Sequence, residues 1–269
     1  MLNPWRSVVD YPLGHRGTKP RTHGLTMVID KGLGAEELRS LLEVAGNYLD
    51  YLKLGFGTSA LYSEKLLKDK IALCREYDVE IYPGGTLMET ACLQGRFEDY
   101  LDRAGSLGFK TIEISDGTIP LERSLRRHCI KRAVAEGFTV LTELGKKDPR
   151  ESPSIGELLD QGREDLAAGA WTVIIEARES GKGIGIYDRD GQLIEEKVQS
   201  FALGIKDLAD VIWEAPLKAQ QVELIRRFGP NVNLGNIQPD ELLSLEALRA
   251  GLRGDTLRLA VHRLFITQP

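Results

Sequence analysis

The chain has 269 residues, 42% hydrophobic and 28% charged, which suits one globular domain with a large core and excludes a disordered or disulfide-stapled one. Its net charge of −5 argues against a nucleic acid or a membrane as partner, and makes any local cluster of Lys and Arg informative. Cys74, Cys92 and Cys129 form no CxxC pair, and the chain shows neither a signal-like apolar run at its start nor the roughly 20 apolar residues of a membrane span; the expectation is reduced thiols in a cytoplasmic protein.

Residues 1–24, with Pro4, Pro12, Gly14, Gly17 and Pro20, read as an irregular lead-in that covers the floor of the fold. The first apolar run is Leu25–Asp30. Glu36–Gly46 follows as a helix, since Leu38, Leu41, Leu42 and Ala45 share one face. Further runs are Leu49–Leu54, Val79–Tyr82, Thr111–Ser115, Thr139–Glu143, Thr172–Glu176, Val211–Glu214 and Val232–Leu234. Between and after them Ser63–Tyr77, Arg96–Leu107, Leu121–Glu136, Ser154–Ala168, Gln199–Leu208, Leu217–Phe228 and Pro239–Gly251 carry helical periodicity. Strict alternation implies parallel strands, because each crossover needs a helix-sized connection. Eight units in this length favour an α/β fold of one domain, a (β/α)8 TIM barrel spanning residues 25–269. An open doubly wound sheet would normally need fewer strands and a phosphate-binding glycine turn after the first.

A barrel of this kind carries its active site on the loops after the strands. The runs end in Asp30, in Lys53, in Glu113 with Ser115, in Glu143 leading to Lys146 and Lys147, in Glu176 with Arg178, and in Glu214. Side chains alternate faces along a strand, so Glu143 and Lys147 share parity, as do Glu176 and Arg178. Any one of these, Lys53 for instance, is as readily a structural ion-pair partner as a ligand contact. Charges at most of the eight ends together are hard to explain as packing. Gly181-Lys182-Gly183-Ile184-Gly185 offers backbone N–H groups and a lysine to an anion, or is a plain turn. Gly235-Asn236 lies where barrels often hold phosphate; Arg253 either joins that site or caps a helix. His15, His23, His128 and His262 fall in the lead-in or in helices, so neither a histidine-ligated zinc nor a Ser-His-Asp triad is expected. Carboxylates, lysine and arginine remain, a set suited to Mg2+ and an acidic carbonyl-containing substrate.

At these strand ends the sequence resembles the phosphosulfolactate synthase family. The resemblance rests on residues 24–32 (GLTMVIDKG), 56–59 (FGTS), 82–86 (YPGGT), 113–117 (EISDG), 141–147 (LTELGKK), 175–185 (IEARESGKGIG), 214–216 (EAP) and 251–256 (GLRGDT), nearly the whole chain after the lead-in. It implies Mg2+-dependent addition of sulfite to phosphoenolpyruvate, giving (2R)-phospho-3-sulfolactate, a step that opens coenzyme M biosynthesis in methanogens. On that reading some of Glu113, Glu143, Glu176 and Glu214 hold Mg2+. Charge pushed into the substrate carboxylate is stabilised there, and a lysine protonates C2. Lys147 is chosen over Lys146 by its parity with Glu143. Lys53, Arg178 and Lys182 offset the repulsion between two polyanions, with Asp30 also placed at the mouth. Subunits are expected to assemble as a homo-oligomer. Two alternatives stand: a Schiff-base aldolase using Lys53 or Lys147, and a non-catalytic relative of the plant heat-tolerance type.

Overall fold

Seven of the eight runs form strands, the eighth strand begins at the last residue of its run, and all eight strands are parallel. The structure, a computed structural model, describes residues 4, 5 and 7–266, with side chains up to residue 261. The strands are β1 (Thr26–Asp30), β2 (Tyr51–Leu54), β3 (Glu80–Pro83), β4 (Thr111–Ile114), β5 (Thr139–Leu144), β6 (Thr172–Ile175), β7 (Val211–Glu214) and β8 (Leu234–Ile237). Ten α-helices stand among the described residues. The first five are α1 (Ala35–Ala45), α2 (Glu64–Glu76), α3 (Gly85–Leu93), α4 (Phe97–Leu107) and α5 (Arg123–Ala135). The others are α6 (Ile155–Ala168), α7 (Glu195–Gly204), α8 (Lys218–Phe228), α9 (Leu242–Arg249) and α10 (Gly254–Ile266). No helix among the described residues is long and apolar enough to cross a membrane.

The strand order is β3-β2-β1-β8-β7-β6-β5-β4. The sheet therefore curls into a barrel whose seam lies between β3 and β4. These two strands lie against each other but, among the described residues, share no ladder of backbone hydrogen bonds. The alternation of side chains sorts the core into two parts. Leu25, Met27, Tyr51, Tyr82, Leu141, Ile174 and Ile212 fill the lower barrel as an apolar plug. The opposite faces of the strands pack against the helices; in α1, Leu38, Leu42 and Ala45 are buried there, as their spacing requires. Gly235, which the sequence placed in a phosphate site, gives clearance in β8: a β-carbon there would come within 2.4 Å of the Met27 Cε and 2.9 Å of Ile212.

Residues 13–24 of the lead-in pack across the barrel floor. The Arg16 side chain bonds Glu246 and the Gly24 carbonyl, Lys19 donates to the carbonyls of Gly46 and Tyr77, and Leu13 N–H donates to Ala250. Asp50 is the buried hub of this layer. Its carboxylate accepts from Arg21 at 2.8 Å and from the Thr26 N–H at 2.9 Å, at the base of β1. Asp50→Ala strands a cation and a buried N–H, so we expect a loss of about 3–5 kcal/mol, the usual cost of halving a buried pair. Urea unfolding of the variant measures it. The three thiols are free, and Cys92 donates to Met88 Sδ one turn earlier at 3.4 Å.

Candidate active site

One layer above the apolar plug, the inward positions turn from hydrocarbon to charge. Lys53 of β2 stands at the centre. Its ammonium lies 3.0 Å from Glu113 of β4, 2.7 Å from Glu143 of β5 and 3.4 Å from Glu214 of β7. Parity places it: Tyr51 faces the interior two residues earlier, so Lys53 must follow. Glu143 follows Leu141, Glu176 follows Ile174, and Glu214 follows Ile212 by the same rule. These groups wall a cavity of about 270 Å3, together with Lys147, Arg178, Thr86, Thr118, Phe56 and Asn236.

The four carboxylates are not equivalent. Glu113 accepts the Gly85 N–H at 2.8 Å through Oε1 and turns Oε2 to Lys53; Glu214 accepts the Ala177 N–H at 2.9 Å through Oε2 and turns Oε1 to Lys53. Glu143 gives Oε2 to Lys53, and Glu176 accepts the Arg178 N–H through Oε1. Glu143 Oε1 and Glu176 Oε2 are buried and meet no donor among the described residues. A buried carboxylate oxygen without a donor is costly unless a proton or a cation satisfies it. Charge counting agrees. If all four carboxyls were ionised they would exceed the two ammonium groups, Lys53 and Lys147, by two charges; burial offsets this by raising Glu113, Glu176 and Glu214, so protons hold the balance where no cation sits. A single divalent cation between Glu143 and Glu176 would meet both needs, and Mg2+ commonly takes only one or two protein carboxylates. Glu113 and Glu214, expected as metal ligands, each give one oxygen to Lys53 and the other to a backbone N–H group. No group of three or more acidic, histidine or cysteine side chains is arranged to hold a metal among the described residues.

Burial and neighbours divide the proton affinities accordingly. Burial raises Glu113 to about 7, with Lys53 opposing and Glu143 adding to the rise. Burial, then Glu143 and Glu214, holds Glu176 well above the usual carboxylate range, and burial raises Glu214 as well. Glu143 moves the other way: burial would raise it, but Lys53 and Lys147 prevail and keep it ionised. Lys53, despite burial, is held well above the ordinary lysine value by Glu113, Glu143 and Glu214.

Lys147 enters the cavity, as its parity predicts, and donates to Thr86 Oγ1 at 3.0 Å. Its pKa is set by two opposing effects. Burial does lower it, but Glu143 and Glu176 outweigh burial and the net shift is upward. Lys146 turns out of the cavity and pairs with Asp116 at 2.6 Å. Asp30 is also corrected. Met27 and Ile29 face inward, so Asp30 faces the helices, where it pairs with Lys70 at 2.5 Å and accepts from the Gly32 and Leu33 N–H groups. Arg178 lines the mouth in a left-handed backbone conformation, φ 58°. Lys182 is exposed and outside the cavity wall, and the Gly183 N–H donates to the Asp188 carbonyl rather than into the site. Arg253 starts α10 and accepts from Thr256 and Leu257 through its carbonyl, the capping alternative. Asn236, half of the expected phosphate pair, does line the cavity, with φ 56° and a buried Oδ1 that has no donor among the described residues.

Sequence reasoning missed α3 and with it Glu89. This buried carboxylate accepts from Ser115 Oγ and from the N–H groups of Gly117, Thr118 and Ile119, so it fixes the loop after β4 that carries Thr118 to the cavity. Its signal was one acid inside the run Leu87-Met88-Glu89-Thr90-Ala91-Cys92-Leu93, obscured by the glycines ahead of it. Gly85 is required there: a β-carbon would lie 2.2 Å from Ser115 Oγ and 2.8 Å from Glu113 Oε1.

A family model described as (2R)-phospho-3-sulfolactate synthase (ComA) matches residues 14–255. The phosphosulfolactate synthase of Methanothermobacter thermautotrophicus is 46% identical over 250 residues, 92% of this chain and 96% of that protein. That of Methanocaldococcus jannaschii is 46% identical over 235 residues, 87% and 93% of the two chains. Among solved structures, a 3-hexulose-6-phosphate synthase matches with a TM-score of 0.54 at 16% identity, covering 84% of this chain and 98% of its own; this is a likeness of fold alone.

Proposed function

The chain belongs to the phosphosulfolactate synthase family, and from that premise we propose that it adds sulfite to phosphoenolpyruvate with Mg2+ as cofactor, giving (2R)-phospho-3-sulfolactate. The observation that carries this reading is the pairing of Glu143 and Glu176, two donor-free carboxylate oxygens, with Lys147 in one cavity. In this reaction a C–S bond forms at the CH2 carbon, the carbon–carbon π bond breaks, and C2 takes a proton. Mg2+ held by Glu143 and Glu176 would act as a Lewis acid on the substrate carboxylate, where charge accumulates during addition. Lys147, kept as an ammonium, donates the proton to C2 and is recharged from solvent. Arg178 at the rim draws the anions in and moderates their mutual repulsion. Lys53 holds Glu113, Glu143 and Glu214 in place from below. The raised pKa of both lysines speaks against the Schiff-base alternative, since an ammonium is no nucleophile.

The test is phosphoenolpyruvate consumption. We expect turnover only when sulfite and Mg2+ are both present, with at least about a hundredfold loss after exhaustive chelation and recovery on returning Mg2+. Consumption that ignores sulfite, or that survives chelation unchanged, would sink the reading. A chain that binds but never turns over would favour the non-catalytic alternative.

A further inference from the structure

Lys147 lies past the end of β5, whose pairing with β6 stops at Leu144. Its position comes from two neighbours instead. The Lys147 backbone N–H donates to the Gly117 carbonyl at 2.9 Å. Its aliphatic stem runs along the same residue: a β-carbon on Gly117 would stand 3.2 Å from Lys147 Cε and 3.4 Å from Cγ. The ammonium ends on Thr86 Oγ1 at 3.0 Å, in the first turn of α3. The aim of Lys147 is thus borrowed from the loop after β4 and from α3.

That loop is in turn held by α3. The N–H groups of Gly117, Thr118 and Ile119 converge on the Glu89 carboxylate at 3.1, 2.8 and 2.9 Å, and Ser115 Oγ donates to it as well. Successive N–H groups turned on one anion form a nest, and here the anion is a side chain only 2% exposed. The outward side of the loop is pinned separately, where Asp116 pairs with Arg126 at 2.9 Å and with Lys146 at 2.6 Å. Thr86 and Glu89 stand at i and i+3, on one face of α3. One helix therefore grips Lys147 twice: at its tip through Thr86, and along its stem through Glu89 and the loop. Glu89 itself stands outside the cavity wall.

We propose that Glu89 is a positioning residue for the proton transfer, holding the Gly117–Ile119 backbone so that the Lys147 ammonium keeps its aim at C2. This rests on the reading of Lys147 as the acid. Proton delivery is sensitive to placement, and an error of about 1 Å can cost about a hundredfold in rate. A double-mutant cycle tests the proposal. Glu89→Gln keeps the size of the side chain but turns an amide NH2 on N–H donors. We expect kcat to fall about 10- to 100-fold, with phosphoenolpyruvate affinity, read by calorimetry, changed less than about threefold. In a Lys147→Ala background the same substitution should cost less than about twofold in kcat, because no ammonium is left to aim. A merely structural role would lower both backgrounds alike. Losses that multiply in the double variant, or an unchanged kcat in a folded Glu89→Gln chain, would overturn the proposal. A near-normal kcat in Lys147→Ala alone would overturn the reading of Lys147 and this inference with it, so the two failures are told apart. If Glu89→Gln does not fold, Ser115→Ala, which deletes one donor to Glu89, takes its place in the same cycle with a smaller loss expected.

Discussion

Replacing Lys147 by alanine should abolish most turnover while leaving phosphoenolpyruvate bound. The ammonium reaches into the cavity from the end of β5 and is anchored on Thr86 Oγ1 at 3.0 Å. Glu143 and Glu176 overcome the effect of burial and keep it protonated across the neutral range. The upward shift makes this ammonium a weaker acid than a free lysine, so it donates only to a strongly basic centre such as a carbanion at C2, and its loss removes an interaction made mainly as C2 acquires its proton. We expect kcat to fall by roughly 10²-fold or more, the scale of a missing general acid, with a smaller change in affinity because Lys53 and Arg178 remain. Lys146→Ala should do much less, since its ammonium is spent on Asp116 outside the cavity. Steady-state kinetics with a separate binding titration distinguishes these. A near-normal kcat in Lys147→Ala, with collapse in Lys146→Ala, would exchange their roles.

The second large effect is expected at Lys53, and it is one of stability. Lys53 is 7% exposed, and three carboxylates converge on it. Lys53→Met keeps the length of the side chain but removes the one cation these three acids share, which should cost about 3–5 kcal/mol at neutral pH. The sign of the pH dependence follows from Glu113. Its carboxyl is already raised to about 7 in the folded chain, and without Lys53 it must rise further. A carboxyl whose folded pKa exceeds the unfolded value favours folding fully below the unfolded pKa and loses that contribution as pH rises through the folded one. The variant should therefore approach the parent near pH 5 and fall steadily behind it towards pH 8. Denaturant midpoints across this range supply the measurement; a gap that stayed constant, or that closed at high pH, would contradict the account.

Much of this was legible because periodicity and packing coincide. The strand Val211–Glu214 matches its apolar run residue for residue, and the helix at Ser154–Ala168 begins where Ser154 and Glu157 cap it reciprocally. The eighth strand was displaced, because Gly235 and Asn236 look like a loop while they occupy Leu234–Ile237. The apolar run is broken by Gly235 and Asn236, although the strand pairing continues to Ile237. The helix Gly85–Leu93 was hidden by paired glycines that read as a turn, yet close packing on Ser115 is what demands Gly85. Asp30 misled because the run Thr26-Met27-Val28-Ile29-Asp30 is apolar on both faces, so nothing in it marks the inward side. Glu113, Glu143, Glu176 and Glu214 were all found, but the division between those that hold Lys53 and those left free depends on which backbone N–H groups reach each oxygen. That is a property of the assembled loops.

The seam between β3 and β4 bears on how this chain can change over evolutionary time. No backbone ladder joins those strands among the described residues, and Glu113 reaches across the gap to the Gly85 N–H with one oxygen while its other faces Lys53. One side chain therefore belongs both to the closure of the barrel and to the charge balance of the reaction chamber. A drift in substrate preference that needed a different group at position 113 would have to reinvent the closure in the same step, as the packed Gly85 leaves no room for another side chain to take over. On the opposite wall Glu214 likewise spans a backbone N–H and Lys53, but there regular pairing from β5 to β7 already joins the strands, so closure does not depend on that side chain.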